Sequence, residues 1–138
     1  VRPKVAELRV PAETELCESV RNAARSVARV SRFDEDALDQ VESAVDELTN
    51  LVVERAREHG GIRFLNVFLV GDEVEFLAGF RLPHRLIEDG ADGPAWNEAE
   101  LATVQLIQAT GGQVETRAVE PQGQVIVLKR PVAAAAGS

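Results

Sequence analysis

The side chains that could do chemistry are few in this sequence, and two of them stand four residues apart in an acidic segment. Asp46 and Asn50 lie in the stretch 41–54, which reads VESAVDELTNLVVE. In a helix, a spacing of four places both side chains on one face. On residue type alone, an aspartate and an asparagine in such a segment indicate a solvated helical surface more often than a site.

A second group of candidates consists of arginines spaced along the first predicted helix. Arg21, Arg25 and Arg29 follow one another at four-residue steps and form one stripe. The stripe alternates with acidic neighbours such as Glu18, which is typical of a solvated helical face, but it also suits an acidic protein partner. We therefore treat these three arginines as candidate partner-binding residues.

The other reactive side chains give no support for hydrolytic catalysis. Cys17 belongs to an apolar helical stripe, where a small buried hydrophobe is a better interpretation than a nucleophile. His59 and His84 have no cysteine or carboxylate partner at metal-ligand spacing, so no metal site is predicted. No serine occupies a nucleophile-elbow motif.

Composition excludes several classes of function. The 138 residues carry 15 Lys plus Arg and 23 Asp plus Glu, a net charge of −8. That balance, with five Phe, one Trp and no Tyr, argues against a nucleic-acid partner. No apolar run approaches the length of a membrane span, and the first residues lack the apolar stretch of a signal peptide. The sequence therefore predicts a soluble, cytoplasmic protein with no membrane partner.

The hydrophobic pattern predicts the order strand, helix, helix, hairpin, loop, helix, hairpin. Asp34 is predicted to cap the second helix, and the pair Gly60-Gly61 to end it in a left-handed conformation. The predicted strands cover 5–10, 62–70, 74–80, 114–119 and 125–128; the helices cover 13–31, 34–59 and 98–110; the loop covers 81–97.

These elements predict one domain over residues 1–130 and a flexible tail over 131–138. The expected fold is α+β, a two-layer sandwich with helices on one face of a mostly antiparallel, mixed sheet. The strand over 62–70 is apolar on both alternating sets, which predicts a sheet face without cover from the helices. Either a partner or a second copy covers that face, or the loop over 81–97 folds across it.

The order of elements, with the segments LRVPA, VESAVDELTNLVVE, LATVQLIQATGGQVET and GQVIVLKR, resembles the bacterial anti-sigma-factor serine kinases. That family belongs to the Bergerat-fold (GHKL) ATPases, which are relatives of the histidine-kinase catalytic domains. The resemblance covers about residues 5–130. It implies a histidine-kinase-like ATPase fold.

The resemblance also implies roles for Asp46 and Asn50. In the family, an acidic residue on the second helix orients the water or hydroxyl at the γ-phosphate, and an asparagine four positions later ligates magnesium. Asp46 is thus a vestigial catalytic candidate, and Asn50 would bind Mg-ATP if the pocket survives. Asp46 is one methylene shorter than the family's usual glutamate, and Glu54 stands where the family often has a histidine.

Two departures from the family pattern argue against bound nucleotide. The family's adenine-binding aspartate, in a D-x-G-x-G segment after the hairpin, has no counterpart in the stretch 78–83, AGFRLP. Glu98 and Glu100 stand where the family has glycines that face the phosphates. A carboxylate about 5 Å from a phosphate charge is repulsive by roughly 3 kcal/mol at an effective dielectric constant of about 20.

The resulting hypothesis is a degenerate member of the family, a pseudoenzyme that uses no cofactor and acts by protein–protein binding in a sigma-factor or partner-switching circuit. The expected partner is a sigma factor or an anti-anti-sigma protein, and dimerisation of the family through its sheet implies a homodimer. The alternative is an active serine kinase that uses Mg-ATP to phosphorylate an anti-anti-sigma (STAS-type) partner.

Overall fold

A computed structural model describes residues 2–13 and 17–132 of the chain. Its elements, in chain order, are β1 (Lys4–Pro11), α1 (Cys17–Ala28), α2 (Glu35–His59), β2 (Phe64–Gly71), β3 (Glu75–Leu82), β4 (Asp89–Gly90), β5 (Gly93–Pro94), α3 (Glu98–Ala109), β6 (Gln113–Val119) and β7 (Gly123–Pro131). Five strands form one sheet in the order β1-β2-β3-β7-β6, and β4 and β5 form a separate short hairpin.

The α+β prediction with a mostly antiparallel sheet is confirmed. Every strand pairing in the described residues is antiparallel, so the described sheet is not the mixed one that the sequence predicts. Local connectivity accounts for two of these pairings, because β2–β3 and β6–β7 are hairpins and a hairpin joins antiparallel neighbours. The β1–β2 and β3–β7 pairings are antiparallel across longer connections.

Helix α2 shows most directly how local sequence builds an element. The Asp34 carboxylate accepts a hydrogen bond from the Ala37 amide at 2.7 Å and caps the first turn. Gly60 ends the helix with φ +77°, in the left-handed region that glycine adopts without steric cost. Both predicted ends of this helix are confirmed.

The core lies between the helices and one side of the sheet. Alternate positions of the central strands are buried on that side, and the buried residues of α1 and α2 belong to the same cluster. Full burial of each Leu or Phe side chain stabilises the fold by about 2 kcal/mol. The largest fully buried strand residues are Leu65, Leu69, Phe76, Phe80, Ile126 and Leu128.

The connection after β3 is anchored on the helix side of the sheet. The amides of Leu86 and Ile87 both donate to Oε1 of Gln124, at 2.9 and 3.0 Å, and Gln124 Nε2 donates to the Ile87 carbonyl at 2.7 Å. Gln124 is buried and shares its side of β7 with Ile126, which packs in the core. The interpretation in which this loop folds across the opposite sheet face is therefore wrong for these anchoring residues.

Several predicted boundaries fall differently in the structure. Strand β3 continues to Leu82, into the predicted loop 81–97, and the β4–β5 hairpin lies within that loop. The first helix ends at Ala28 rather than residue 31, and its predicted first turn includes residues 14–16, which lie outside the described residues. The predicted tail begins at Pro131, but Pro131 pairs with Glu75 and the Val132 amide donates to the Val74 carbonyl at 2.8 Å. The rest of that tail, 133–138, also lies outside the described residues.

Candidate functional site

Helices α2 and α3 enclose the cavity that corresponds to the predicted nucleotide cleft. Asn50 and Arg55 line it from α2, and Glu100 lines it from the first turn of α3. The cavity measures about 210 Å³, which is below the roughly 300–1,000 Å³ of typical small-molecule sites.

An ion pair between the two helices occupies this cavity. Arg55 Nη2 donates to Glu100 Oε1 at 2.6 Å, and Arg55 Nε donates to the other carboxylate oxygen. Glu100 is only 7% exposed, although it stands near a helix end. This forked, two-point contact is the strongest geometry available to a guanidinium and a carboxylate.

The same carboxylate also caps α3. Glu100 Oε1 accepts from the Asn97 amide at 2.8 Å, and Asn97 Oδ1 accepts from the Glu100 amide at 2.8 Å, which completes a capping box. Burial favours a raised pKa for Glu100, but hydrogen bonds from Arg55 and from the Asn97 backbone outweigh burial and lower the pKa. Glu100 is therefore a charged structural group at neutral pH.

The electrostatics of the cavity oppose a triphosphate. Its lining contains four carboxylates and one guanidinium, and Glu100 already holds that guanidinium. The other three carboxylates belong to Glu47, Glu54 and Glu58. The lining residues therefore do not fit the phosphates of Mg-ATP, because within residues 2–13 and 17–132 the cavity lining includes no cation other than Arg55, which Glu100 holds.

Asp46 and Asn50 do not line one cavity. Asn50 lines the α2–α3 cavity, and its Oδ1 accepts a hydrogen bond from the Cys17 thiol at 3.4 Å. Asp46 instead lines a separate cavity beside Arg21. Burial, and secondarily the charge of Asp46, raises the pKa of the Cys17 thiol, which agrees with a buried structural cysteine.

The arginine stripe of α1 divides into two parts. Arg25 pairs with Glu35 at 2.9 Å, with Asp39 at 2.8 Å and with Glu42, all acidic residues of α2. Arg21 Nε lies 3.5 Å from the same Glu42. These two candidates therefore tie α1 to α2.

Arg29 is the third member of the stripe. It is exposed, and its side chain makes no hydrogen bond or ion pair within the described part of the chain. Of the three candidate partner-binding arginines, it has the side chain most available to another protein.

Sequence reasoning missed two groups of polar residues. Arg55 stands one turn after Leu51 on α2, but its partner Glu100 is 45 positions away. Arg9 and Arg81 lie on the sheet face opposite the helices, stacked over Phe64 and Phe68 at 4.5 and 4.9 Å from the ring centroids. Arg9 lies on the outward alternation of a predicted strand, whereas Arg81 falls in the predicted loop 81–97 and carried no such signal.

No protein-family model matches this chain, and no curated protein sequence matches it. None of the helices in residues 2–13 and 17–132 combines the length and apolar composition that crossing a bilayer requires. Within the same residues, no cluster of His, Cys, Asp and Glu side chains is arranged to hold a metal ion.

Proposed function

We propose that this chain is a regulatory protein-binding domain that does not use ATP. It is a degenerate relative of the anti-sigma-factor serine kinases, with a sigma factor or an anti-anti-sigma protein as partner. The single observation that carries the loss of nucleotide chemistry is the partly buried Arg55–Glu100 pair across the α2–α3 cavity. The sigma-factor circuit is supported by the sequence resemblance.

The energetics of the ion pair support this proposal. The Arg55 side chain is 24% exposed, so separating this pair costs less than separating a fully buried one, about 1.5–3 kcal/mol. A phosphate next to a remaining carboxylate meets a further repulsion of roughly 3 kcal/mol. Since each 1.4 kcal/mol is about a tenfold change in affinity, separating the pair weakens nucleotide binding by at least about tenfold, and the repulsion weakens it by about a hundredfold.

Calorimetric titration with Mg-ATP tests the loss of nucleotide binding. We expect no heat of binding at millimolar nucleotide, for the wild-type chain and for Asn50→Ala alike. Micromolar binding to the wild-type chain that Asn50→Ala abolishes would contradict the proposal and support the serine-kinase alternative. Transfer of labelled phosphate to an anti-anti-sigma protein would have the same meaning.

Co-purification from the native cell tests the partner. We expect a sigma factor or an anti-anti-sigma protein, identified by mass spectrometry, to be retained by the wild-type chain. Arg29→Glu should weaken that retention, whereas Arg57→Glu, an exposed charge reversal on α2, should not. Consistent recovery of a protein from neither class would contradict the proposed circuit.

A further inference from the structure

The sheet face opposite the helices carries a row of long polar side chains. In register, Arg9 of β1 stands beside Asn66 of β2, and Asn66 stands beside Arg81 of β3. Residues in register across a sheet point to the same side, and here that side is the one without helices. Because adjacent strands lie about 4.8 Å apart, the Cα atoms of the two arginines are about 10 Å apart.

Both guanidiniums are positioned by contacts with phenylalanine rings rather than by hydrogen bonds to other protein groups. Arg9 Cζ lies 4.5 Å from the centroid of the Phe64 ring, and Arg81 Cζ lies 4.9 Å from that of Phe68. Neither guanidinium makes a hydrogen bond or an ion pair within the described residues. An aromatic platform restricts the side chain, and the N–H groups at the guanidinium edge stay available for a carboxylate.

Charge on this face has the opposite sign to the rest of the chain. Two adjoining cavities of about 310 and 420 Å³ share Arg9, Asn66 and Arg81, and Arg63 lines the second. Their ionisable lining is three arginines and one carboxylate, Glu7, in a chain of net charge −8. Glu7 forms no ion pair with the arginines in the described residues, so it reduces the local potential without neutralising either guanidinium.

We propose that this face docks an acidic peptide segment of a partner protein, with one carboxylate at Arg9, another at Arg81, and the Asn66 amide between them. The proposal rests on the proposed protein-binding function and adds the surface and the chemistry of the partner. Charge complementarity selects an acidic segment, since the forked donors of two arginines match two carboxylates. A single-stranded nucleic acid fits less well, because the guanidiniums already cover the ring faces on which bases would stack.

A pair of labelled peptides provides the direct test. One fluorescein-labelled, proline-rich peptide carries two glutamates three positions apart, because polyproline II conformation has three residues per turn and places both side chains on one side, about 9 Å apart. Its matched control has glutamine at both positions. In fluorescence anisotropy at low salt, we expect the wild-type chain to bind the glutamate peptide at least tenfold more tightly than the glutamine peptide, and added salt to reduce that difference.

Protein variants locate the binding on the row of arginines. Arg9→Gln combined with Arg81→Gln should weaken binding of the glutamate peptide at least tenfold. Arg32→Gln, which removes an exposed arginine outside this face, should leave binding unchanged. Glu7→Gln should strengthen binding severalfold, because it removes the one carboxylate that faces the peptide.

Several outcomes would overturn the proposal. One is equal affinity for the glutamate and glutamine peptides. Another is an equal loss of affinity for the glutamate peptide in Arg32→Gln and in the double variant. A third is an oligouridine probe that binds more tightly than the glutamate peptide and depends on Arg9 and Arg81. A dimer in sedimentation that the double variant dissociates would assign the face to a second copy instead. The peptide comparison needs no variant to fold. The peptide comparison also does not involve the α2–α3 cavity. If the chain bound Mg-ATP, the proposed loss of nucleotide binding would be wrong, but the peptide result would be unaffected.

Discussion

The α2–α3 cavity and the open sheet face both present arginines, but they differ in what those arginines still have to offer. The donors of Arg55 are engaged by Glu100 inside a cavity rich in carboxylates. Arg9 and Arg81 rest on phenylalanine rings and keep their donors free. Binding capacity therefore depends on unsatisfied, pre-positioned hydrogen-bond donors rather than on the number of charged residues in a concavity.

The largest expected effect comes from breaking the pair in the α2–α3 cavity. Glu100→Gln should lower the free energy of unfolding by about 3 kcal/mol, because it leaves the Arg55 guanidinium without its charged partner. Urea unfolding followed by circular dichroism measures this change. Glu98→Gln, at an exposed position of the same helical turn, should cost less than about 1 kcal/mol.

A double variant sharpens that result. Arg55→Leu with Glu100→Leu should cost less than the sum of the two single substitutions, since hydrophobic replacement of a whole buried pair is often nearly neutral. If the two single changes in the free energy of unfolding simply add in the double variant, Arg55 and Glu100 are not energetically coupled. The donors of Arg55 would then not be held by Glu100, and the contrast with the open sheet face would be wrong.

The second effect disturbs the open face. A Cβ on Gly79 would lie 1.9 Å from Cζ of Phe68, so Gly79→Ala must displace the ring on which Arg81 rests. We expect a loss of about 2 kcal/mol in the free energy of unfolding, typical of overpacking. Binding of the glutamate peptide should weaken at the same time.

A glycine outside the sheet serves as the control for this substitution. A Cβ on Gly61 would meet only ordinary contacts with His59, at 3.5 Å, so Gly61→Ala should change stability by less than about 0.5 kcal/mol. Unchanged stability in Gly79→Ala would mean that Phe68 does not occupy the position described here.

A smaller effect is the pH dependence of the Arg55–Glu100 pair. Because the folded chain lowers the pKa of Glu100, its contribution to stability is fully present above the ordinary carboxyl pKa of 4.5 and is lost as the pH falls through the lower, folded-state pKa. The stability difference between wild-type and Glu100→Gln should therefore shrink in acid. Acid unfolding series of the two proteins measure it, and a difference that grows as the pH falls would contradict the assigned direction.

The smallest expected effect concerns Cys17, which contacts the α2 face at Asn50. Burial is the main cause of its raised thiol pKa, and Asp46 is the lesser one, so Asp46→Asn should lower that pKa and speed alkylation by iodoacetamide at pH 8 only severalfold. Glu47→Gln, an exposed neutralisation at the next position, serves as the control. Equally faster alkylation of Cys17 in both variants would show that the total negative charge of α2, rather than Asp46 in particular, raises the thiol pKa.

Much of the fold was predictable because its signals are local. The caps of α2 at Asp34 and Gly60 and the hairpins around Gly71 and Gly123 follow from side-chain chemistry within a few positions. For the candidate site, the sequence identified individual residues but not the contacts between them. Glu100 was expected to exclude phosphate, but its partner Arg55 carried no signal, because the two residues meet only when α2 packs beside α3.

Local sequence patterns were sufficient for the order of the main helices and strands, the acidic character of α2 and the position of Glu98 and Glu100 in the first turn of α3, but not for the short β4–β5 hairpin. Tertiary structure alone decided that the loop anchors at Gln124 on the helix side and that Arg9, Asn66 and Arg81 form a row. The two sets of features differ because they depend on interactions between residues at different separations in the sequence. Capping and periodicity act over three or four residues, whereas an ion pair across helices or a row across strands depends on the register and packing of segments far apart in the chain.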